Sequence, residues 1–150
     1  MTQRPVLPLT LDEQLCFALY STSLAMTKAY KPVLEDLGLT YPQYLTMLVL
    51  WESHDLTVKD IAARLNLDSA TVTPLLKRLE AQGYLERVRG VEDERLVHIR
   101  LTKTGMALKR AAREVPSEIL CATQQTPEFV VRLRDDLTRL RGTLNESLDR

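Results

Sequence analysis

The stretch from Thr57 to Thr102 constrains the fold more than any other part of the chain. Thr57 opens a short helix, "VKDIAARL", and the three residues "NLD" separate it from a second, "SATVTPLLKRLEAQ", which opens at Asp68 or Ser69 and is closed by Gly83. Two short segments with partial period-2 alternation follow, "YLERVRG" and "RLVHIRLT", flanking the turn-like "GVED". In the second, Val97, Ile99 and Leu101 face one way while Leu96, His98 and Arg100 face the other. Helix, three-residue turn, helix and hairpin is the order of a winged helix-turn-helix.

Helical punctuation continues on both sides. Thr10 with Glu13 reads as a capping box for a long first helix from about Leu11 towards Asp36, which Pro32 should bend or break and Gly38 should stop. Thr40 with Gln43 caps a second helix, Tyr41 to Ser53. Helical signal resumes at Thr102, with Leu108, Ala111, Ala112, Val115 and Ile119 as its stripe and Pro116 as an interruption. Thr126-Pro127 opens the last helix, where Val130, Leu133, Leu137, Leu140, Leu144 and Leu148 form a near-heptad seam suited to a partner helix. The expected class is mainly α with a small β-hairpin wing. Residues 40–102 would form a winged helix-turn-helix lobe, and 1–37 with 103–150 a helical dimerisation region, all within one 150-residue domain.

Composition narrows the function. No run of about 18 apolar residues exists to span a membrane, and "MTQRPVLPLT" lacks the apolar core of a secretory signal. Two cysteines are too few for a disulfide scaffold, which points to the cytosol, and neither they nor His54 and His98 have metal spacing. Both histidines read as ordinary surface residues, and no cofactor is expected. The net charge is zero, yet Thr57 to Arg113 carries +5 and the remainder −5. A basic middle between acidic flanks fits a polyanionic partner.

On the second helix of the motif, Val72, Leu75, Leu76 and Leu79 point to a core. The opposite face carries Ala70, Thr73, Pro74 and Lys77, with Ser69, Thr71 and Arg78 at its margins. Small hydroxyl residues suit base edges or phosphates, Ala and Pro suit a thymine methyl, and Lys77 and Arg78 suit phosphates. Pro74 breaks a local rule at a cost of roughly 3 kcal/mol, which marks either a functional position or a tolerated kink. A helix starting at Pro74 with Thr73 as cap is the alternative.

"DERLVHIRLT", following "SATVTPLLKRLEAQGYLERVRG", resembles the wing signature of the MarR family of winged-helix repressors: Asp, any residue, Arg, five residues, Leu-Thr. The resemblance implies a homodimer joined through its terminal helices on double-stranded operator DNA. Arg95 would enter the minor groove, with Asp93 holding it, rather than serve as a solvated partner of Glu92, Asp93 or Glu94.

"LDEQLCFALYSTS" and "TPLLKRLE" are similar to the organic hydroperoxide resistance regulators within that family. That likeness implies that Cys16 is the peroxide sensor and that Tyr30 and Tyr41 of the other subunit hydrogen-bond to it. Cys121 would be the resolving thiol of a two-cysteine subgroup, with the bridge either within or between subunits. Oxidation by an organic hydroperoxide would then rearrange the dimer and release DNA.

The local sequence offers Cys16 little help. It falls in the second turn of the expected first helix, beside the acidic Asp12 and Glu13, so activation must come from elsewhere. Two other readings stay open. One is a repressor of the same family released by a small aromatic ligand, with both cysteines incidental. The other is a thiol peroxidase, which explains neither the wing nor the polar helix face.

Overall fold

The computed structural model describes residues 3–150, which divide into one compact unit ending at Ala111 and a second from Ala112 to Arg150. The first holds helices α1 (Leu15–Glu35), α2 (Tyr41–Glu52), α3 (Val58–Leu65), α4 (Ser69–Ala81) and α5 (Lys103–Ala111). It also holds strands β1 (Leu56–Thr57), β2 (Leu85–Arg89) and β3 (Val97–Leu101). The second unit holds α6 (Val115–Thr123) and α7 (Pro127–Leu148). This is a mainly helical chain with a small antiparallel wing.

Side-chain caps set most helix starts. Thr40 and Gln43 form a reciprocal capping box on α2, and Thr57 and Asp60 another on α3. Asp68 accepts from the Thr71 backbone N–H at 2.7 Å to begin α4. Asn66 ends α3 in the left-handed conformation, φ 57°, so three residues turn the chain from α3 into α4. Met47, Leu50, Ile61, Leu76, Leu79, Leu85 and Ile99 are almost wholly buried, each contributing on the order of 1.5–3 kcal/mol. At the edge of this core the Trp51 indole N–H donates to the Gly105 carbonyl at 3.0 Å.

The hairpin pairs β2 with β3, Arg87 opposite Ile99, and Ile99 is buried as the alternation requires. β1 was not legible as a strand: two residues pair with β3, Leu56 opposite Ile99, giving a three-stranded sheet in the order β1-β3-β2.

Three expectations need correcting. Thr10 makes no side-chain cap; Leu11–Glu13 is a 3-10 turn, and α1 begins only at Leu15. The cause is Gln14, extended at ψ 122°, whose side-chain amide donates back to the Pro8 and Thr10 carbonyls at 2.7 and 3.0 Å. Pro32 does not break α1, which runs on through Glu35: one missing N–H in its last turn is tolerated. α4, by contrast, starts where expected and contains Pro74: Asp68 supplies the cap five residues earlier in the sequence than Thr73 would, so the alternative start at Pro74 is not taken.

His98, finally, is not an ordinary surface residue. Its Nδ1 is buried without a hydrogen-bond partner, 3.6 Å from the Asp55 carboxylate. Asp55 is turned back to it in the left-handed region, φ 62°, and also accepts from Arg100 at 3.0 Å.

In the second unit, Pro116 acts as expected. Its ring excludes the carbonyl four residues back, and the chain tightens into a 3-10 turn at Ala112–Glu114 before α6 begins. α7 is capped by Thr126, whose hydroxyl accepts from Phe129 N–H at 3.1 Å, and none of its residues is buried.

Candidate nucleic-acid interface and thiol site

α4 presents the face that its sequence pattern requires. Val72, Leu75, Leu76 and Leu79 are buried, while Ser69, Ala70, Thr71, Pro74, Lys77 and Arg78 are exposed and Thr73 is half-buried. Pro74 deletes one backbone donor on that outer face. The Thr73 hydroxyl donates to the Ser69 carbonyl at 2.8 Å, and the Thr71 hydroxyl to Asp68 at 2.6 Å. These two contacts orient the small polar side chains along the helix start.

The wing is tied to α4 through one carboxylate. Glu80 accepts from the Arg87 backbone N–H at 3.0 Å and from its guanidinium at 3.3 Å. At the wing tip Asp93 accepts from the Arg95 backbone N–H at 3.0 Å and from its Nε at 3.2 Å. The Arg95 side chain remains 92% exposed. The wing tip thus carries an arginine that is both held and uncovered.

Cys16 is exposed and free, and the later start of α1 changes its setting. It is the second residue of the helix rather than a residue of the second turn, and so lies in the turn whose backbone N–H groups lack helical partners. Asp12 and Glu13 belong to the preceding 3-10 turn instead of the same helix. Cys121, also exposed and free, lies in the last turn of α6, which Gln124 ends in the left-handed conformation.

Tyr30 of α1 and Tyr41 of α2 pack at 4.7 Å between ring centroids. Burial first, then the neighbouring phenols Tyr41 and Tyr44, push the Tyr30 hydroxyl up to about 12, and burial raises Tyr41 as well. Both stay protonated at neutral pH and available as hydrogen-bond donors. Fourteen residues of one unbroken helix separate Tyr30 from Cys16, about 21 Å at 1.5 Å per residue. The chain therefore does not bring its own Cys16 and its own tyrosines together.

Sequence reasoning passed over Tyr44, whose ring centroid lies 5.7 Å from that of Tyr30. Its signal was present in "YPQY", where i and i+3 share a helix face. It also passed over the Asp55–Arg100–His98 cluster, which follows from the pairing of β1 with β3 and has no local signature. Beside the tyrosines, Thr27, Lys28, Lys31, Leu34, Leu39 and Tyr41 line part of a cavity of about 380 Å³. Among the described residues no cluster of His, Cys, Asp and Glu could hold a metal, and no helix is long and apolar enough to cross a membrane.

Most of this chain has known counterparts. The chain is 49% identical to the organic hydroperoxide resistance transcriptional regulator of Bacillus subtilis over 136 residues, 91% of this chain and 92% of that one. Residues 28–112 match the family model described as transcriptional regulator SarA/Rot. The chain is a winged helix-turn-helix regulator of the MarR/SarA family. Within it, the likeness is to the organic hydroperoxide resistance type.

Two solved structures of AbfR, a Staphylococcus epidermidis protein, resemble this regulator. Reduced AbfR bound to DNA superposes with a TM-score of 0.79 at 35% identity, covering 92% of this chain and 94% of that one. Disulfide-formed AbfR superposes with a TM-score of 0.64 at 37% identity, covering 87% and 91%. The relatives are transcriptional regulators and not enzymes, against the thiol peroxidase reading.

Proposed function

We propose that this regulator is a cytoplasmic, peroxide-sensing repressor that binds operator DNA as a reduced homodimer. Each α4 would enter a major groove, with Ser69, Ala70, Thr71, Thr73 and Pro74 at base edges or the sugar-phosphate backbone. Lys77 and Arg78 would sit on phosphates, and Arg95, held by Asp93, in the flanking minor groove. Residues 1–37 and 103–150 would supply the dimer contacts around the lobe of 40–102. The uncovered leucine seam of α7 supports that assignment.

The observation that carries the sensing half is the phenol pair. Tyr30 and Tyr41 are packed, protonated, and beyond the reach of Cys16 in the same helix. In a dimer they would serve the partner subunit's sensor thiol. A Cys16 thiolate attacks the distal oxygen of an organic hydroperoxide: the S–O bond forms, the O–O bond breaks, and the alkoxide leaves to be protonated to the alcohol. The resulting sulfenic acid is attacked by the Cys121 thiolate, probed as that of the other subunit. An S–S bond forms and hydroxide leaves as water. The disulfide changes the spacing of the two lobes and DNA is released; a thiol reductant reverses it. That AbfR is known in reduced DNA-bound and disulfide forms supports the two-state scheme.

The test is fluorescence anisotropy with duplex DNA from the regulator's own promoter region, with and without tert-butyl hydroperoxide, for wild type, Cys16→Ser and Cys121→Ser. Non-reducing electrophoresis follows the same samples. Wild type should release DNA and run as a linked dimer, and Cys16→Ser should do neither. Release by Cys16→Ser at the wild-type rate would sink the sensor assignment. A second reading, release by a small aromatic ligand, is favoured by the cavity beside Tyr41, with Lys28 and Lys31 in its lining. It requires that Cys16→Ser still respond to a compound such as a benzoate.

A further inference from the structure

Three tyrosines, not two, form the phenol cluster, and they are not equivalent. Tyr30 and Tyr41 are half-buried, whereas Tyr44 is only 3% exposed. Tyr41 and Tyr44 stand one turn apart on the same face of α2. The ring of Tyr30, coming from α1, rests against both: 4.7 Å and 44° from Tyr41, 5.7 Å and 41° from Tyr44. These are the tilted, offset arrangements that aromatic pairs prefer.

α2 is itself fixed at this end. The Thr40 hydroxyl accepts from the Gln43 N–H at 3.3 Å, the Gln43 side chain accepts from the Thr40 N–H at 3.0 Å, and the Tyr44 N–H donates to the Thr40 carbonyl at 2.9 Å. Gln43 is 5% exposed while Thr40 is exposed, so this lock is half-buried, with Gln43 and Tyr44 on its inner side. Tyr44 is thus the immobile ring of the three.

We propose that Tyr44 is a positioning residue for peroxide sensing: its buried ring fixes the ring of Tyr30, and thereby the direction in which the Tyr30 and Tyr41 hydroxyls donate. The proposal rests on the reading of Tyr30 and Tyr41 as donors to the partner subunit's sensor thiol. A hydrogen bond to a thiolate is directional, and a phenol free to swing through a second rotamer spends part of its time aimed elsewhere. Small misplacements of this kind are costly to reactivity while leaving the fold intact. Because the ring does the work, phenylalanine should replace Tyr44 and an aliphatic residue should not.

The test uses the full-length dimer in a Cys121→Ser background, so that every thiol signal belongs to Cys16. Tyr44→Phe, Tyr44→Leu, Tyr44→Met and Tyr30→Phe are compared by the rate of thiol loss with tert-butyl hydroperoxide and by iodoacetamide alkylation across pH. Circular dichroism and dimer mass establish folding, and Tyr44→Met stands in should Tyr44→Leu fail to fold.

Tyr44→Phe should react within about twofold of the parent, while Tyr44→Leu or Tyr44→Met and Tyr30→Phe react about tenfold slower or worse. In the slow variants the alkylation profile should move to higher pH. Aliphatic variants that keep the parent rate and profile would overturn the proposal, as would a Tyr44→Phe variant as slow as Tyr44→Leu. If Tyr30→Phe also keeps the parent rate, the donor reading itself has failed, not only the role of Tyr44.

Discussion

Replacing Pro74 by alanine should make the protein more stable and a weaker DNA binder. Pro74 is the sixth residue of α4, and its missing N–H leaves the Ala70 carbonyl without a helical partner. A proline in a helix centre costs about 3 kcal/mol relative to alanine. Two features lower that figure. Ala70 is exposed, so water satisfies its carbonyl. The position also follows the first turn closely: Thr71 and Val72 N–H groups already bond to Asp68. Alanine should therefore gain about 1–2 kcal/mol, and at roughly 3 °C per kcal/mol for a chain of this size the melting temperature should rise by about 3–6 °C. If Pro74 touches a base or sugar, duplex affinity should fall in the same variant. Thermal denaturation by circular dichroism and anisotropy titration measure the two effects on one sample. A melting temperature that falls would refute the reading of Pro74 as an uncompensated strain. A rise with unchanged affinity and unchanged sequence preference would reduce it to a tolerated kink.

Gly105→Ala should destabilise the first unit by roughly 2–3 kcal/mol or prevent folding, since an added Cβ would lie 2.0 Å from the Tyr84 carbonyl oxygen; urea denaturation checks this. Arg95→Ala should leave the melting temperature within about 1 °C, because its ion pair is exposed, while lowering DNA affinity by on the order of tenfold or more in an anisotropy titration. Acid should loosen the helix starts. Asp60 and Asp68 are held below the ordinary carboxylate value of 3.8, Asp60 first by the Thr57 backbone N–H and Asp68 first by the Thr71 hydroxyl. A lowered folded value means the caps stabilise fully above that pH and fade as pH falls through the folded value. Asp60→Asn and Asp68→Asn should therefore show a shallower loss of melting temperature below pH 4 than wild type.

Local chemistry was legible wherever a helix began with its own cap. Thr40 with Gln43, Thr57, Asp68 and Thr126 each do in the fold what their spacing says, because a cap needs only residues within one turn. Thr10 with Glu13 has the same spacing and makes no cap; the chain stays in a 3-10 turn there and is extended at Gln14, whose amide donates back to the Pro8 and Thr10 carbonyls. Gln14 lies one residue beyond the pattern. The inward side of β3 was legible from alternation, ending with Ile99 fully buried. Its other side was not. His98 alternates outward, but β1, 41 residues earlier in the chain at its paired position Thr57, brings Asp55 over it. No window of local sequence holds both halves of that contact.

The cysteine shows the difference most sharply. Read as a second-turn residue with acidic neighbours on its own helix, Cys16 needs its activation supplied from outside. Moving the start of α1 to Leu15 places it in the first turn of the helix, with Asp12 and Glu13 in the preceding 3-10 turn. On the proposed function activation comes from Tyr30 and Tyr41, and the unbroken run of α1 through Pro32 keeps these from folding back onto their own Cys16. A helix that broke at Pro32 would still leave Tyr30 two residues short of the break, on the same rigid rod. On the proposed function the phenols would serve a sensor thiol on a second copy of the chain. On this reading the leucine seam of α7, with none of its residues buried, belongs to the same requirement. The dimer would complete the sensor, and not merely double the number of DNA-reading helices.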